Sequence, residues 1–215
     1  MAIGFLVAYV LLSAAHVYAR FSGAARVRML TKPLLLPVLL VAYLWSGTGT
    51  VSIAVVAALV FGTLGDVLLM GTSTGRRFVV GGVCFFLGHV AYIVAFAGDI
   101  RLVGATAWTL LAAVAYLAAG VVFYRAMRPG LGSLKGLAIG YLIGLSAMSL
   151  TAALRYATLG SPSALLVLIG SLVFILSDAL LMVDEFHHRL SHDGFVVMLT
   201  YCLAQGLIIG GLMLV

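Results

Sequence analysis

An all-α membrane bundle of about eight helices is the fold class this sequence predicts, and three observations predict it. Asp, Glu, Lys and Arg make up only 8% of the 215 residues while 64% are hydrophobic, and the mean hydropathy is +1.26. A soluble chain with so few charges would lack an adequate polar surface. The charges, prolines and glycines also cut the chain into stretches of the roughly 20 residues that a helix needs to cross hydrocarbon. Connections are short, with no Ser/Pro-rich linker or low-complexity run, so one transmembrane domain is expected over residues 1–215.

The eight stretches fall near 3–20, 29–45, 51–70, 78–97, 103–125, 133–156, 162–184 and 194–214. The first ends in Val17-Tyr18-Ala19, which resembles a small-residue cleavage site, but its basic residues Arg20, Arg26 and Arg28 follow the apolar run. A signal peptide carries its positive charge ahead of that run, so the segment reads as a retained helix. The second opens at Lys32-Pro33, where a proline suits the first helical turn. The third and seventh contain Gly65-Asp66-Val67-Leu68-Leu69-Met70 and Ser177-Asp178-Ala179-Leu180-Leu181-Met182. The fourth carries Gly88-His89-x-x-Tyr92 and the eighth Tyr201-x-x-x-Gln205, each pair one turn apart on one helix face. The fifth is read from length and hydropathy alone. On the sixth, Gly132, Gly136, Gly140 and Gly144 recur every four residues, as do Gly206 and Gly210 on the eighth, a spacing that lets helix backbones approach closely in lipid. Cys84 and Cys202 read as small apolar residues without a disulfide.

Basic residues set the orientation. The odd-numbered loops hold Arg20, Arg26, Arg28, Lys32, Arg76, Arg77, Arg125, Arg128, Lys135 and Arg189, the even ones only Arg101 and Arg155. The positive-inside rule places the odd loops in the cytoplasm and both termini outside the cell (inner) membrane. Topology also accounts for the net charge of +6. No basic stripe interleaved with aromatics points to nucleic acid.

Asp66 and Asp178 are the default functional site, because a carboxylate at membrane depth is costly unless it faces a cavity or a partner. Both precede a cytoplasmic loop by a few turns. His89, Tyr201 and Gln205 lie seven to twelve residues in from the same side, or about 10–18 Å at 1.5 Å per residue. A polar cavity rising from the cytoplasm, floored by the two carboxyls, follows from these depths. The two aspartates also belong to an internal echo. Asp-x-Leu-Leu-Met occurs twice, preceded by Leu59-Val60-Phe61 and, with one residue of offset, by Leu172-Val173-Phe174, and His89 and Tyr201 each follow their aspartate by 23 residues. The pattern suggests a weak four-plus-four duplication.

Two other motifs carry less. Gly71-Thr72-Ser73-Thr74-Gly75 fits the G-x-S-x-G pattern, but that motif works on a strand-to-helix turn, which this chain does not offer. Asp184, Glu185, His187, His188, His192 and Asp193 are metal-ligand types, yet at a water interface they read as a solvated loop. No metal and no cofactor is expected.

The set Lys32-Pro33, Gly65-Asp66, Gly88-His89-x-x-Tyr92, Ser177-Asp178 and Tyr201-x-x-x-Gln205 on eight membrane helices resembles the YhhN family of lysoplasmalogenase-like proteins, over nearly the whole chain. That resemblance implies hydrolysis of the vinyl ether bond of a lysoplasmalogen, a lysophospholipid drawn from the membrane lipids, to a fatty aldehyde and glycerophosphocholine or glycerophosphoethanolamine. It also implies that Asp66 and Asp178 are catalytic. Two carboxyls suit such chemistry, one donating a proton and one activating water, as in glycoside hydrolysis. Asp178 is the candidate acid and Asp66 the candidate base, an assignment the sequence leaves open. His89, Tyr92, Tyr201 and Gln205 are candidates to position substrate or water, and Lys32, with Arg26 or Arg28, to hold the phosphate. The alternative is a transporter or proton-coupled carrier using the same carboxyls, which uninterrupted helices would disfavour.

Overall fold

The computed structural model describes residues 1–47, 49–71, 75–100, 107–186 and 194–214. Among the described residues regular structure is helical throughout: α1 (Ala2–Phe21), α2 (Ala25–Thr31), α3 (Leu35–Leu44), α4 (Ile53–Leu68), α5 (Gly75–Ala97), α6 (Ala107–Met127), α7 (Lys135–Leu159), α8 (Pro162–Phe186) and α9 (Phe195–Leu212). A 3-10 turn, Lys32–Leu34, joins α2 to α3, and a second, Gly132–Leu134, leads into α7. Counting α2 with α3 as one span gives eight, of which seven are long and apolar enough to cross a bilayer.

Two spans depart from expectation. The second starts at Ala25 and is interrupted at Lys32–Leu34, so Lys32 sits inside it rather than at its mouth. Pro33 and Pro37 lack the N–H groups that would bond four residues back, and the tighter turn absorbs the gap. The third span, α4, has 16 residues instead of the expected 20. At about 1.5 Å per residue it measures roughly 24 Å, less than the ~30 Å hydrocarbon core. It stops two residues after Asp66, where the backbone meets a polar cavity, and a helix can end at membrane depth where it lines one.

The tightest packing is between α8 and α9, then between α4 and α5. A Cβ on Gly170 would lie 2.8 Å from the Ile208 nitrogen, and one on Gly211 2.7 Å from the Ser163 carbonyl, so these glycines permit the α8–α9 approach. The predicted stripe does less. Gly144 meets the Phe86 ring and Gly206 faces Tyr9, but a Cβ on Gly132, Gly136, Gly140 or Gly210 would meet nothing within 4 Å. The first four and the sixth to eighth spans enclose a core that includes Leu35, Leu39, Leu59, Phe96, Phe174 and Ile208. α6 is the outlier, with only 6% of its apolar window buried. Leu110, Val114, Leu117 and Val122 are exposed, which costs nothing when the surroundings are acyl chains. Arg155, expected in a loop, lies in α7 at 1% exposure, its Nε donating to Asp99 Oδ2 at 2.7 Å.

Candidate active site

Asp66 occupies the last turn of α4. The Tyr201 hydroxyl, from α9, donates to its Oδ2 at 2.7 Å, and Lys32 Nζ lies 3.4 Å from its Oδ1. Asp178 lies two turns before the end of α8. The Tyr141 hydroxyl, from α7, donates to its Oδ2 at 2.6 Å, while His89 Nε2, from α5, stands 3.9 Å from the same oxygen. That is too long for a hydrogen bond. The His89 ring is held edge-on by Tyr141 and Phe174, and neither of its nitrogens has a hydrogen-bond partner although both are buried.

Neighbouring residues fix these side chains. A Cβ on Gly65 would sit 2.6 Å from the Phe85 ring, so glycine beside Asp66 lets Phe85 close over it. Phe85 and Phe174 in turn make edge contacts with Tyr201. Ser177 donates to the Val197 carbonyl, pinning α8 to α9 one residue from Asp178. The Tyr9 hydroxyl donates to the Cys202 carbonyl, tying α1 to α9 one residue from Tyr201. Loss of a buried hydrogen bond of this kind costs about 1–3 kcal/mol, so the wall is stiff.

Both carboxyls line one polar cavity of about 320 Å³, shared with Arg20, Lys32, Tyr141, Asp184, Glu185 and Tyr201. Asp184 and Glu185, expected in a solvated loop, lie in the last turn of α8 and face this cavity. The other loop residues of that reading, His187, His188, His192 and Asp193, lie outside the described residues, as do Thr72, Ser73 and Thr74 of the hydrolase-like motif and the loop residues Arg101 and Arg189. Among the described residues no three His, Cys, Asp or Glu side chains converge on a metal position. Arg28 borders a neighbouring recess with Lys32 and His16, while Arg26 borders neither of these cavities. Arg20 does reach the polar cavity, a role that sequence reasoning gave to Arg26 or Arg28.

Tyr92 and Gln205 do not join the cavity. One turn further along α5 and α9, the Tyr92 hydroxyl donates to Gln205 Oε1 at 2.7 Å, and both are buried in the core. They bond each other across the two halves of the chain, tying α5 to α9. Lys32 does line the cavity, and it is also ion-paired with Asp66, a partner the sequence did not indicate.

The arrangement of the two acids has a pseudo-two-fold logic that extends the internal echo. Each carboxyl takes one partner from the second span of its own half and one from the fourth span of the other. Asp66 has Lys32 and Tyr201, and Asp178 has Tyr141 and His89. Tyr141 was missed from sequence because no motif surrounds it. Its signal is positional: it precedes Asp178 by 37 residues as Lys32 precedes Asp66 by 34.

Among the described residues, eight apolar spans, seven of them contributing side chains to one polar cavity with two buried acids, define an integral membrane protein. The chain belongs to the YhhN family, whose family model matches residues 27–212. No curated protein and no solved structure matches it.

Proposed function

We propose that this protein is a lysoplasmalogenase-type hydrolase that cleaves the vinyl ether bond of a lysophospholipid. The observation that carries the reading is the unequal pairing of two buried carboxyls on one cavity: Asp66 faces a cation, Asp178 only a phenol and an imidazole. Family membership is compatible with it.

Unequal partners divide the labour. Lys32 stabilises Asp66 as a carboxylate, which suits a general base. Asp178 accepts from Tyr141 on Oδ2, leaving Oδ1 for a proton, which suits a general acid. In the proposed reaction Asp178 protonates the vinyl carbon remote from oxygen, the ether oxygen's electrons form an oxocarbenium ion, and water attacks its carbon as Asp66 takes the water's proton. The resulting hemiacetal breaks its bond to the glycerol oxygen, which takes the proton held by Asp66 while Asp178 takes the hemiacetal hydroxyl proton, so both acids return to their starting states. The sum is vinyl ether plus water giving aldehyde plus alcohol, with no redox change. Arg20 and Lys32 supply positive charge where the phosphate would lie, and Asp184 and Glu185 supply negative charge where the ammonium group of an ethanolamine or choline headgroup would lie.

The interrupted second span is the one feature that favours the rival reading, a carrier, because broken helices mark many transport sites. In the matching stretch of the other half, however, α7 runs unbroken past Tyr141. Purified protein incubated with a lysoplasmalogen separates the two: aldehyde release is expected, and transport of the lipid or of protons without any aldehyde would replace the hydrolase with a carrier.

A further inference from the structure

Asp178 touches more than the polar cavity. On its far side lies a narrow apolar slot of about 80 Å³ between α5, α7 and α8, bordered by Phe78, Gly82, Leu134, Ala138 and Met182. The slot and the polar cavity share a wall made by Leu69, Phe78, Phe85, Tyr141, Asp178, Leu181 and, at the end of α8, Glu185. Asp66 borders the polar cavity but not the slot. Of the two aspartates, Asp178 therefore stands where a charged chamber meets a hydrocarbon-lined one, and Asp66 stands wholly within the charged chamber.

We propose that this slot receives the part of the hydrocarbon chain next to the headgroup of an amphiphilic substrate whose headgroup occupies the polar cavity, and that Gly82 sets the width of the slot. The proposal rests on the functional reading above and deepens it. Continuity decides the occupant. A molecule filling both chambers must be charged at one end and apolar at the other, and the junction between its two parts falls at Asp178. In a vinyl ether lysophospholipid that junction is the bond to be cleaved. A second apolar cavity, of about 430 Å³ between α6, α7 and α8, also reaches Asp178, but that residue is the only lining residue it shares with the polar cavity. A chain lying there would have to turn away from the headgroup at a single side chain.

Gly82 makes the slot testable without breaking the fold. A Cβ there would meet only Leu137 Cδ2, at 3.9 Å, an ordinary contact, so a larger side chain enters the slot rather than the backbone of a neighbour. Gly120 serves as the control on the second cavity, where a Cβ would meet only Ser146 Oγ at 3.9 Å. The probe is a non-hydrolysable 1-O-alkyl lysophospholipid with a diazirine in its chain, cross-linked to the wild-type protein in detergent and mapped by peptide mass. Binding is read without turnover, so the result stands whether or not aldehyde release, measured separately on a lysoplasmalogen, confirms a hydrolase. Labels are expected within 78–85, 134–141 or 181–182. Gly82→Leu should lower that labelling about tenfold, the scale of a pocket overfilled by a few methylenes, while Gly120→Leu leaves it unchanged. Labelling confined to 116–126, loss on Gly120→Leu instead of Gly82→Leu, or no labelling of either region would overturn the proposal. With a hydrolysable substrate, Gly82→Leu should also depress kcat/KM more for long than for short alkenyl chains, and equal depression would count against the slot.

Discussion

At the scale of single residues, the two aspartates differ in company more than in position. Asp66 has a half-buried cation and a phenol, Asp178 a phenol and an imidazole beyond bonding distance. If they act as one acid–base unit, Asp66→Asn and Asp178→Asn should each lower kcat by about 10³-fold, in the range of general acid–base contributions. The double mutant should be little worse than either single, because residues acting together are non-additive. Asn preserves the volume, so the unfolding temperature in detergent checks that the loss is chemical. Wild-type rates from either single mutant would exclude the mechanism. Lys32→Ala should lower kcat itself, by roughly 10²-fold, because it strips Asp66 of its counter-charge; a rise in KM alone would mean that Lys32 serves only the headgroup. The aspartates were legible in the sequence because ionisable groups are rare in an apolar chain and costly at depth. Tyr141 was not, since tyrosine is common in this chain and only its partner distinguishes it from eight others.

At the scale of elements, helix positions followed from hydropathy, but where a helix stops or breaks depended on its surroundings. The end of α4 beside Asp66 is tolerated because a cavity lies there, and no local sequence signal states that. Glycine spacing was similarly ambiguous. It marks a helix that can be approached, and only the fold shows which glycines are approached. Gly170 and Gly211 are, by the backbone atoms of α9 and α8, whereas Gly136 and Gly140 are not. Gly170→Ala should therefore wedge α8 from α9 and destabilise the protein by about 1–3 kcal/mol, as overpacking does. Gly136→Ala should be neutral or stabilising by up to about 1 kcal/mol, because alanine is the better helix former. Thermal unfolding of the two variants in one detergent compares them directly, and equal effects would show that the α8–α9 contact is looser than its distances imply.

At the scale of the whole molecule, the pseudo-two-fold pairing and the charge asymmetry point the same way. Lys32, Asp66, Tyr201, Tyr141 and Asp178, with His89 behind Asp178, meet at one cavity whose border includes Arg20, Asp184 and Glu185, so the site opens toward the end of the bundle where the odd loops gather. The opposite end is poorer in positive charge than the sequence implied, because Arg155 is buried and bonded to Asp99. A buried, paired arginine adds little to the loop charge that orients insertion, so the bias toward the odd loops grows. The expected topology puts those loops and the mouth of the site in the cytoplasm and both termini outside. With Cys84 and Cys202 replaced by alanine, a membrane-impermeant thiol reagent applied to intact cells should label Thr50→Cys, between the second and third spans, and spare Arg76→Cys at the start of α5 until the membrane is permeabilised. The reverse pattern would invert the molecule. A lysolipid would then have to reach the acids from outside the cell, and the cavity would face a different pool of substrate.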